Sequence, residues 1–345
     1  MKVCVTGGSG YVGSWMVPHL LGDGHFVRVF DIQWFGDGFL PKDNSHCELI
    51  KGDIRDIEAV SKAFEGMDAV IHLACVSNDS SCQLDEGLST SINYDAFEPL
   101  VIAAKKARVR RFIYCSSSSV YGVSDAPDVT EEHPLVPLTL YNKYKGMCEP
   151  LLFKHQSPDL VCTIIRPATV CGYAPRMRFD LTVNIITAHA VEKGIITVFG
   201  GVQKRPNLHI KDMTACYKLM LTAPEDKIAG QIFNVGAQNM KVSEVAELAS
   251  AVVEREMGIK VGIKAEPSTD VRSYHINSDK IFHVLGFKPQ FTVEDAIKDL
   301  CVRFKDGYWK DALTNPLYTN VKQLVDKGYA VEDSLSAYRK DRYAA

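Results

Sequence analysis

The chain has no CxxC pair, no apolar run approaching bilayer length, little net charge, and no internal repeat or low-complexity tract. Each absence removes a class of function. Ten cysteines are scattered over 345 residues and the chain opens on a strand pattern instead of a secretory leader, so reduced, mostly buried thiols are expected in place of a disulfide framework. A membrane-spanning helix needs about 20 consecutive apolar residues, and the longest apolar segments here read as sheet strands. A net charge of -3 with both signs interspersed leaves no basic footprint for nucleic acid and none for an anionic membrane surface. No metal site is expected. The reading that survives is a cytoplasmic protein with small-molecule partners.

What is present repeats one sentence in its first half: a short β-branched run, a turn, then an amphipathic helical stretch. That order predicts parallel strands joined by crossover helices, a doubly wound α/β fold. Strands are expected at Lys2 to Thr6, Phe26 to Asp31, Cys47 to Lys51, Ala69 to Ala74, Arg111 to Ser116 and Val161 to Arg166. Ile57, Val60 and Phe64 fall at helical spacing, and a longer helix is expected over Ser89 to Ala107, ended or kinked by Pro99. After Arg166 the rhythm loosens around Gly172, Pro175, Gly194, Gly200, Gly201 and Pro206. Later helices carry apolar faces at Val245, Leu248, Ala249 and Val252, and at Val293, Ala296, Ile297, Leu300 and Phe304 behind a Thr292 cap. The expected division is a dinucleotide-binding domain over 1–166 to which later strands return, a smaller α/β substrate lobe mainly over 167–305, and a C-terminal extension over 306–345 to which no role is assigned.

The first strand runs directly into Thr6-Gly7-Gly8-Ser9-Gly10-Tyr11-Val12-Gly13. Glycines at 7, 10 and 13 suit a tight turn, a close approach of phosphate to backbone, and close packing of helix on strand. The helix that follows presents free amides and its positive end to a diphosphate. About twenty residues on, the second strand ends at Asp31, where a carboxylate accepts the adenosine ribose hydroxyls. Asp31 repels a 2′-phosphate, and Ile32 and Gln33 offer no cation for one, so NAD is expected over NADP.

Downstream, Cys115-Ser116-Ser117-Ser118-Ser119-Val120-Tyr121-Gly122 is followed by Tyr141-Asn142-Lys143-Tyr144-Lys145. A helix from Tyr141 sets Tyr141 and Lys145 one turn apart on one face. Oxidising a secondary alcohol requires a base for the hydroxyl proton while hydride leaves carbon. A phenol has a pKa near 10, and lowering it by about three units requires roughly 4 kcal/mol of preferential phenolate stabilisation. Lys145 and a positively charged nicotinamide ring supply that in a desolvated cleft. Tyr144 is the competing tyrosine, but its partner one turn on is Cys148.

Together these motifs resemble the extended short-chain dehydrogenase/reductase superfamily, in particular its NAD-dependent nucleotide-sugar epimerases and dehydratases, over residues 1 to 305. The GxxGxxG spacing is that superfamily's. The resemblance implies adenine contacts at Asp53 and Ile54 in Gly52-Asp53-Ile54-Arg55-Asp56, and passage beneath the cofactor of Leu73, Ala74 and Cys75 in Ile71-His72-Leu73-Ala74-Cys75. It implies an Asn93 that supports the active-site helix, and an Arg166 that joins Gly7, Gly10, Tyr11, Val12, Gly13, Asp31, Tyr141 and Lys145 among the cofactor-binding residues. Counting five residues back from Gly122 selects Ser117 as the active hydroxyl, with Ser116, Ser118 and Ser119 as local competitors. Ser117 and Ser118 would face the substrate, and Arg205 and Arg272 fall where guanidinium groups hold the diphosphate of a nucleotide-diphosphate sugar. A homodimer through the helices over 89–107 and 141–155 is likewise implied.

The reaction is narrowed by one more absence. Sugar 4,6-dehydratases of the superfamily carry an Asp-Glu pair directly after the active Ser or Thr, and here those positions are Ser118 and Ser119. Epimerisation at C4 through a 4-keto intermediate is the first expectation. A dehydrogenase that releases the keto-sugar is the alternative, a dehydratase ranks below it, and a non-catalytic NAD(H)-sensing protein is the alternative of another class. Cys171 is the remaining candidate acid for adjacent-carbon chemistry, against the plainer reading of a buried structural thiol.

Overall fold

The computed structural model describes residues 1–268 and 273–329. Its centre is a seven-stranded sheet built from β1 (Lys2–Thr6), β2 (Phe26–Asp31), β3 (Cys47–Lys51), β4 (Ala69–His72), β5 (Arg111–Cys115), β6 (Val161–Pro167) and a later strand, Gln231–Val235, that returns to the edge beside β6. In space the order runs β3, β2, β1, β4, β5, β6 and then Gln231–Val235, with every pairing parallel. Helices cover both faces, so the middle strands are apolar throughout: Val3, Cys4, Val5, Val70, Ile71 and Phe112 are fully buried. Strand order reverses between β1 and β4. That is the switch point at which ligands enter an open α/β sheet, outside the carboxyl ends of the strands.

Three strand ends and one long helix differ from the sequence expectation, each for a local reason. β4 stops at His72, two residues before Ala74, because the chain there turns over Gly7. Leu73 still donates its amide to the Thr6 carbonyl at 3.0 Å, but Leu73 and Ala74 lie outside the ladder. β5 ends at Cys115, where the Ser116 amide makes the last bond of the ladder to the Ile165 carbonyl at 2.8 Å, and β6 runs one residue further, to Pro167. The expected helix over Ser89 to Ala107 is three pieces: Glu86–Thr90, a π-helical turn Ser91–Asp95, and Phe97–Lys106. The break falls, as expected, at Asp95, four residues before Pro99, the residue whose carbonyl the proline ring crowds and leaves without its amide partner. Pro99 itself sits in the first turn of the last piece, where its missing N–H costs that piece no hydrogen bond.

Residues between β6 and the C-terminus build a smaller layer on the carboxyl side of the sheet. A three-stranded sheet joins Thr169–Cys171, Lys204–His209 and Gln238–Lys241, and a parallel pair joins Ile195–Phe199 and Gly262–Glu266. Helices Thr182–Lys193, Val242–Met257 and Val293–Lys305 bury Val245, Ala249, Val252, Ala296 and Ile297 in one cluster. Thr292 caps the last of them in a reciprocal box, accepting from the Asp295 amide at 3.2 Å while Asp295 accepts from the Thr292 amide at 2.9 Å. Past it, Pro316–Tyr318 and Asn320–Asp326 fold back onto the large domain, where Val321 and Leu324 join the cluster containing Trp34 and Phe30.

His72 ends β4 inside this core, its Nδ1 2.7 Å from the Thr6 hydroxyl. Burial first, and the Lys145 charge second, lower its pKa to about 3 from 6.5. The folded state therefore keeps it neutral where the unfolded chain takes a proton. Its contribution to stability is complete above the unfolded value near 6.5 and is lost as pH falls from there toward 3, at up to about 1.4 kcal/mol per pH unit for one proton. Urea titrations between pH 7 and 4 should show this slope. His72→Gln should flatten it, and an unchanged slope in that variant would assign the acid sensitivity elsewhere.

Candidate active site

Between β1 and the first helix, Tyr11–Gly22, the chain makes a turn that only glycine can occupy at two points. Gly7 has φ of +75°, and a Cβ on it would lie 2.6 Å from the Ala74 backbone nitrogen. A Cβ on Gly13 would lie 2.3 Å from the Gly8 carbonyl oxygen. The turn thus packs against the end of β4 on one side and its own helix on the other. The concave side that remains, with the helix amides at its floor, is a cradle for phosphate. At the end of β2, the Asp31 carboxylate accepts from the Ser9 amide at 2.9 Å and the Gln33 amide at 2.6 Å. Burial raises its pKa, and those two amide bonds oppose the rise. The bonds fix the carboxylate at the rim of the turn.

These groups open on one cavity of about 350 Å³. It runs from Asp53 and Ile54, past the glycine turn, to the serine run and Tyr141. Gly7, Gly10, Tyr11, Val12, Gly13, Asp31, Asp53, Ile54, Leu73, Ala74, Cys75, Ser117, Ser118, Tyr141 and Lys145 all line it. Residues gathered from five strand ends over more than 130 positions of sequence therefore meet in a single elongated cleft. A glycine turn with helix amides in the middle, the Asp31 carboxylate on one side and a tyrosine–lysine pair on the other fit a dinucleotide.

The chemical end is positioned by the helix Leu140–Phe153, capped by Thr139, whose hydroxyl accepts from the Asn142 amide at 3.4 Å. Lys145 is buried, its Nζ donating to the Cys115 carbonyl at 2.6 Å and lying 5.9 Å from the centre of the Tyr141 ring. Burial pushes the Tyr141 phenol well above its ordinary value. Tyr144 turns away, its hydroxyl 2.6 Å from that of Thr90. Ser117 starts a short 3₁₀ turn, and its hydroxyl is 2.7 Å from that of Ser119, which donates to the Asn142 side chain at 2.5 Å. The serine run is thereby tied to the tyrosine helix.

Several expected residues are placed elsewhere. Arg166 does not reach the cleft: it is buried in an ion pair with Glu149, Nη2 to Oε2 2.5 Å, and donates to the Tyr121 hydroxyl at 2.7 Å. Asn93 stays beside the tyrosine helix as expected, its backbone carbonyl accepting from the Cys148 thiol at 3.2 Å, but its side chain is turned to the Val76 amide at 2.8 Å and the Val76 carbonyl at 2.9 Å, outside the cavity lining. Arg205 lies outside the cavity lining, its guanidinium carbon 5.4 Å from the centre of the Tyr274 ring. Arg272 lies outside the described residues. Cys171 is buried with its thiol on the Leu208 carbonyl at 3.5 Å, away from the cleft, as a structural thiol would be.

Other lining residues had no sequence signal. Trp34 and Phe35 follow β2, Asn78 and Asp79 follow the β4 loop, Arg176 and Arg178 come from the segment after Pro175, and Asn320 and Leu324 come from the C-terminal fold-back. Arg178 is paired with Asp180 at 2.9 Å and reaches the Ser77 hydroxyl at 3.1 Å. The Arg-x-Arg pattern at 176 and 178 is the one feature that could have marked this segment, since two arginines flanked by Pro175 and Phe179 sit poorly on an ordinary solvated face.

The model of the NAD dependent epimerase/dehydratase family matches residues 3–236. A UDP-glucose 4-epimerase of Lactobacillus helveticus is 28% identical over 326 residues, covering 86% of this chain and 95% of that protein. The dTDP-glucose 4,6-dehydratase 1 of Escherichia coli strain K12 is 27% identical over 334 residues, covering 86% of this chain and 91% of that one. Among solved structures, MoeE5 in complex with UDP-glucose and NAD superposes with a TM-score of 0.77 at 22% identity, over 90% of this chain and all of that one. Among the described residues, no helix is long and apolar enough to cross a membrane.

Proposed function

The chain belongs to the NAD-dependent epimerase/dehydratase family, and from that premise we propose that it is a nucleotide-sugar epimerase that inverts a hydroxyl at C4 through a transient 4-keto sugar. The observation that carries this reading is the content of the cleft beside Tyr141. Elimination of water from the sugar needs an acid and a base beyond the tyrosine, and the two residues after Ser117 are serines. The carboxylates that do line the cavity are engaged: Asp31 by two backbone amides, Asp53 by Arg55, and Asp79 by the Thr139 hydroxyl at 2.6 Å. No glutamate is among the lining residues. Epimerisation requires none.

NAD, when bound, would supply the hydride acceptor and a positive charge. Tyr141 takes the C4 hydroxyl proton, Ser117 shares the hydrogen bond to that oxygen and fixes its direction, and Lys145 stabilises the phenolate. Burial works against phenolate formation and the Arg178 charge favours it, and the Lys145 ammonium, 5.9 Å from the ring centre, adds to the cations that make Tyr141 usable as a base. Gly7, Gly10 and Gly13 hold the cofactor diphosphate, Asp31 its adenosine ribose, and Asp53 and Ile54 its adenine. Most of the sugar-binding lobe is drawn from residues 167–305, and two copies pair through the helices over 86–106 and Leu140–Phe153.

The test is incubation of the purified protein with a panel of UDP- and dTDP-hexoses, followed by proton NMR of the sugar. Appearance of the C4 epimer without net reduction of NAD supports the proposal. Accumulated reduced cofactor with free keto-sugar would identify a dehydrogenase, loss of water a dehydratase, and no turnover of any sugar a dinucleotide sensor.

A further inference from the structure

Arg176 is the most deeply buried arginine of the cleft, 1% exposed, and its Nε has no hydrogen-bond partner among the described residues. Its backbone amide donates to the Ser14 hydroxyl at 3.1 Å, which places it over the first turn of the helix that leaves the glycine cradle. Its guanidinium carbon is 3.6 Å from the centre of the Phe35 ring. One terminal nitrogen donates to the Asn320 side chain at 2.6 Å, and Asn320 in turn donates to the Ser77 hydroxyl at 2.8 Å. Asp180, the carboxylate nearest in this chain segment, is committed to Arg178 through both its oxygens. Asp31, the other carboxylate whose charge reaches it, is held by the Ser9 and Gln33 amides. This buried guanidinium therefore lines a cavity floored by helix amides with neither carboxylate free to pair with it, the setting in which a cation gains most from an added anion.

We propose that Arg176 is a diphosphate-binding residue of the dinucleotide site, and that the C-terminal fold-back, through Asn320, is the element that aims it. This rests on reading the cleft as an NAD site and adds to it a cation that the glycine turn does not contain. Stacking on Phe35 and the bond to Asn320 remove the side chain's freedom before ligand arrives, so the guanidinium meets the phosphate already ordered. The same geometry gives the C-terminal extension a function: Val321 and Leu324 anchor it in the core, and Gln323 holds it to the Trp34 carbonyl at 2.7 Å. Loss of the Asn320 contact should therefore act on cofactor binding from a position 144 residues away in sequence.

The experiment uses the full chain stripped of cofactor, with NAD, ADP and adenosine as probes in calorimetry. Arg176→Met should weaken NAD and ADP by about 10- to 100-fold, as expected for a hydrogen bond to a charged group, and leave adenosine within about twofold. Asn320→Ala should weaken the same two ligands by a smaller factor. Because Arg176 is buried, each variant's unfolding temperature is also measured with and without NAD. A smaller NAD-dependent rise supports the inference even where the ligand-free protein is less stable. Equal losses for ADP and adenosine, or wild-type affinities in both variants, would overturn it. Failure of the wild-type chain to bind NAD at all would overturn the underlying reading as well.

Discussion

Replacing Tyr141 with Phe should reduce turnover by about 10² to 10⁴-fold, the range over which a positioned acid–base group acts, while the affinity for NAD stays within about twofold. The substitution removes one oxygen from a ring that lines the cleft and leaves the Lys145 bond to the Cys115 carbonyl in place. Nothing in the phosphate cradle or at Asp31 touches that oxygen, so binding and chemistry should separate cleanly. Steady-state kcat on the sugar that proves active, beside calorimetric NAD affinity, measures both. Ser117→Ala should lose less, because the hydroxyl orients the reacting oxygen without taking its proton, and Ser119→Ala less again, since Ser119, though it lines the cleft, has its hydroxyl bound to Ser117 and Asn142. Full activity in the Phe variant would remove Tyr141 from the chemistry, and a Ser119 effect larger than that of Ser117 would shift the register of the serine run by two.

The parts of this site that could be read from the residues are those whose geometry is local. A glycine turn after a strand, a carboxylate at the end of the next strand and a tyrosine one helical turn before a lysine each map spacing onto space directly, and all of them line the cleft. Strand positions were legible for the same reason: continuous β-branched runs buried on both faces have few alternatives, and only the ends moved, where the chain passes Gly7 or turns into the serine run after Cys115. Pro99 marked a break in the helix over Ser89 to Ala107, but the π-helical form of the turn at Ser91–Asp95 left no mark, because its sequence is compatible with an ordinary helix. Arg166 was misplaced because an arginine ending a strand beside the site looks the same whether it faces a ligand or a carboxylate from a neighbouring helix. Arg176 carried only the hint of the Arg-x-Arg pattern and Asn320 none, for a further reason. Their meeting depends on how the fold-back after residue 315 docks, and no period in the sequence encodes that.

Glu149→Gln should destabilise the protein by about 3 to 5 kcal/mol, the cost of leaving one partner of a buried ion pair uncompensated. Glu149 and Arg166 are each no more than 3% exposed, and the carboxylate also accepts the Ser116 hydroxyl at 2.6 Å. Arg166 meanwhile donates to the Tyr121 hydroxyl and, at 3.1 Å, to the Glu131 carbonyl. The pair therefore joins the tyrosine helix, the end of β6, the end of β5 and the 3₁₀ turn that begins at Ser117. Glutamine keeps the shape but withdraws the charge, so the Arg166 cation stays buried and Ser116 loses its strongest acceptor. The double variant Glu149→Met with Arg166→Met removes both charges together and should recover part of that loss. The Ser116 hydroxyl still lacks its partner there, so recovery is incomplete. Urea unfolding of the three proteins reads this ordering: wild type most stable, the double variant between, Glu149→Gln least. If the Gln variant were as stable as wild type, the ion pair would not be what fixes the serine run to the tyrosine helix, and the tie would fall to Ser119 and Asn142 alone.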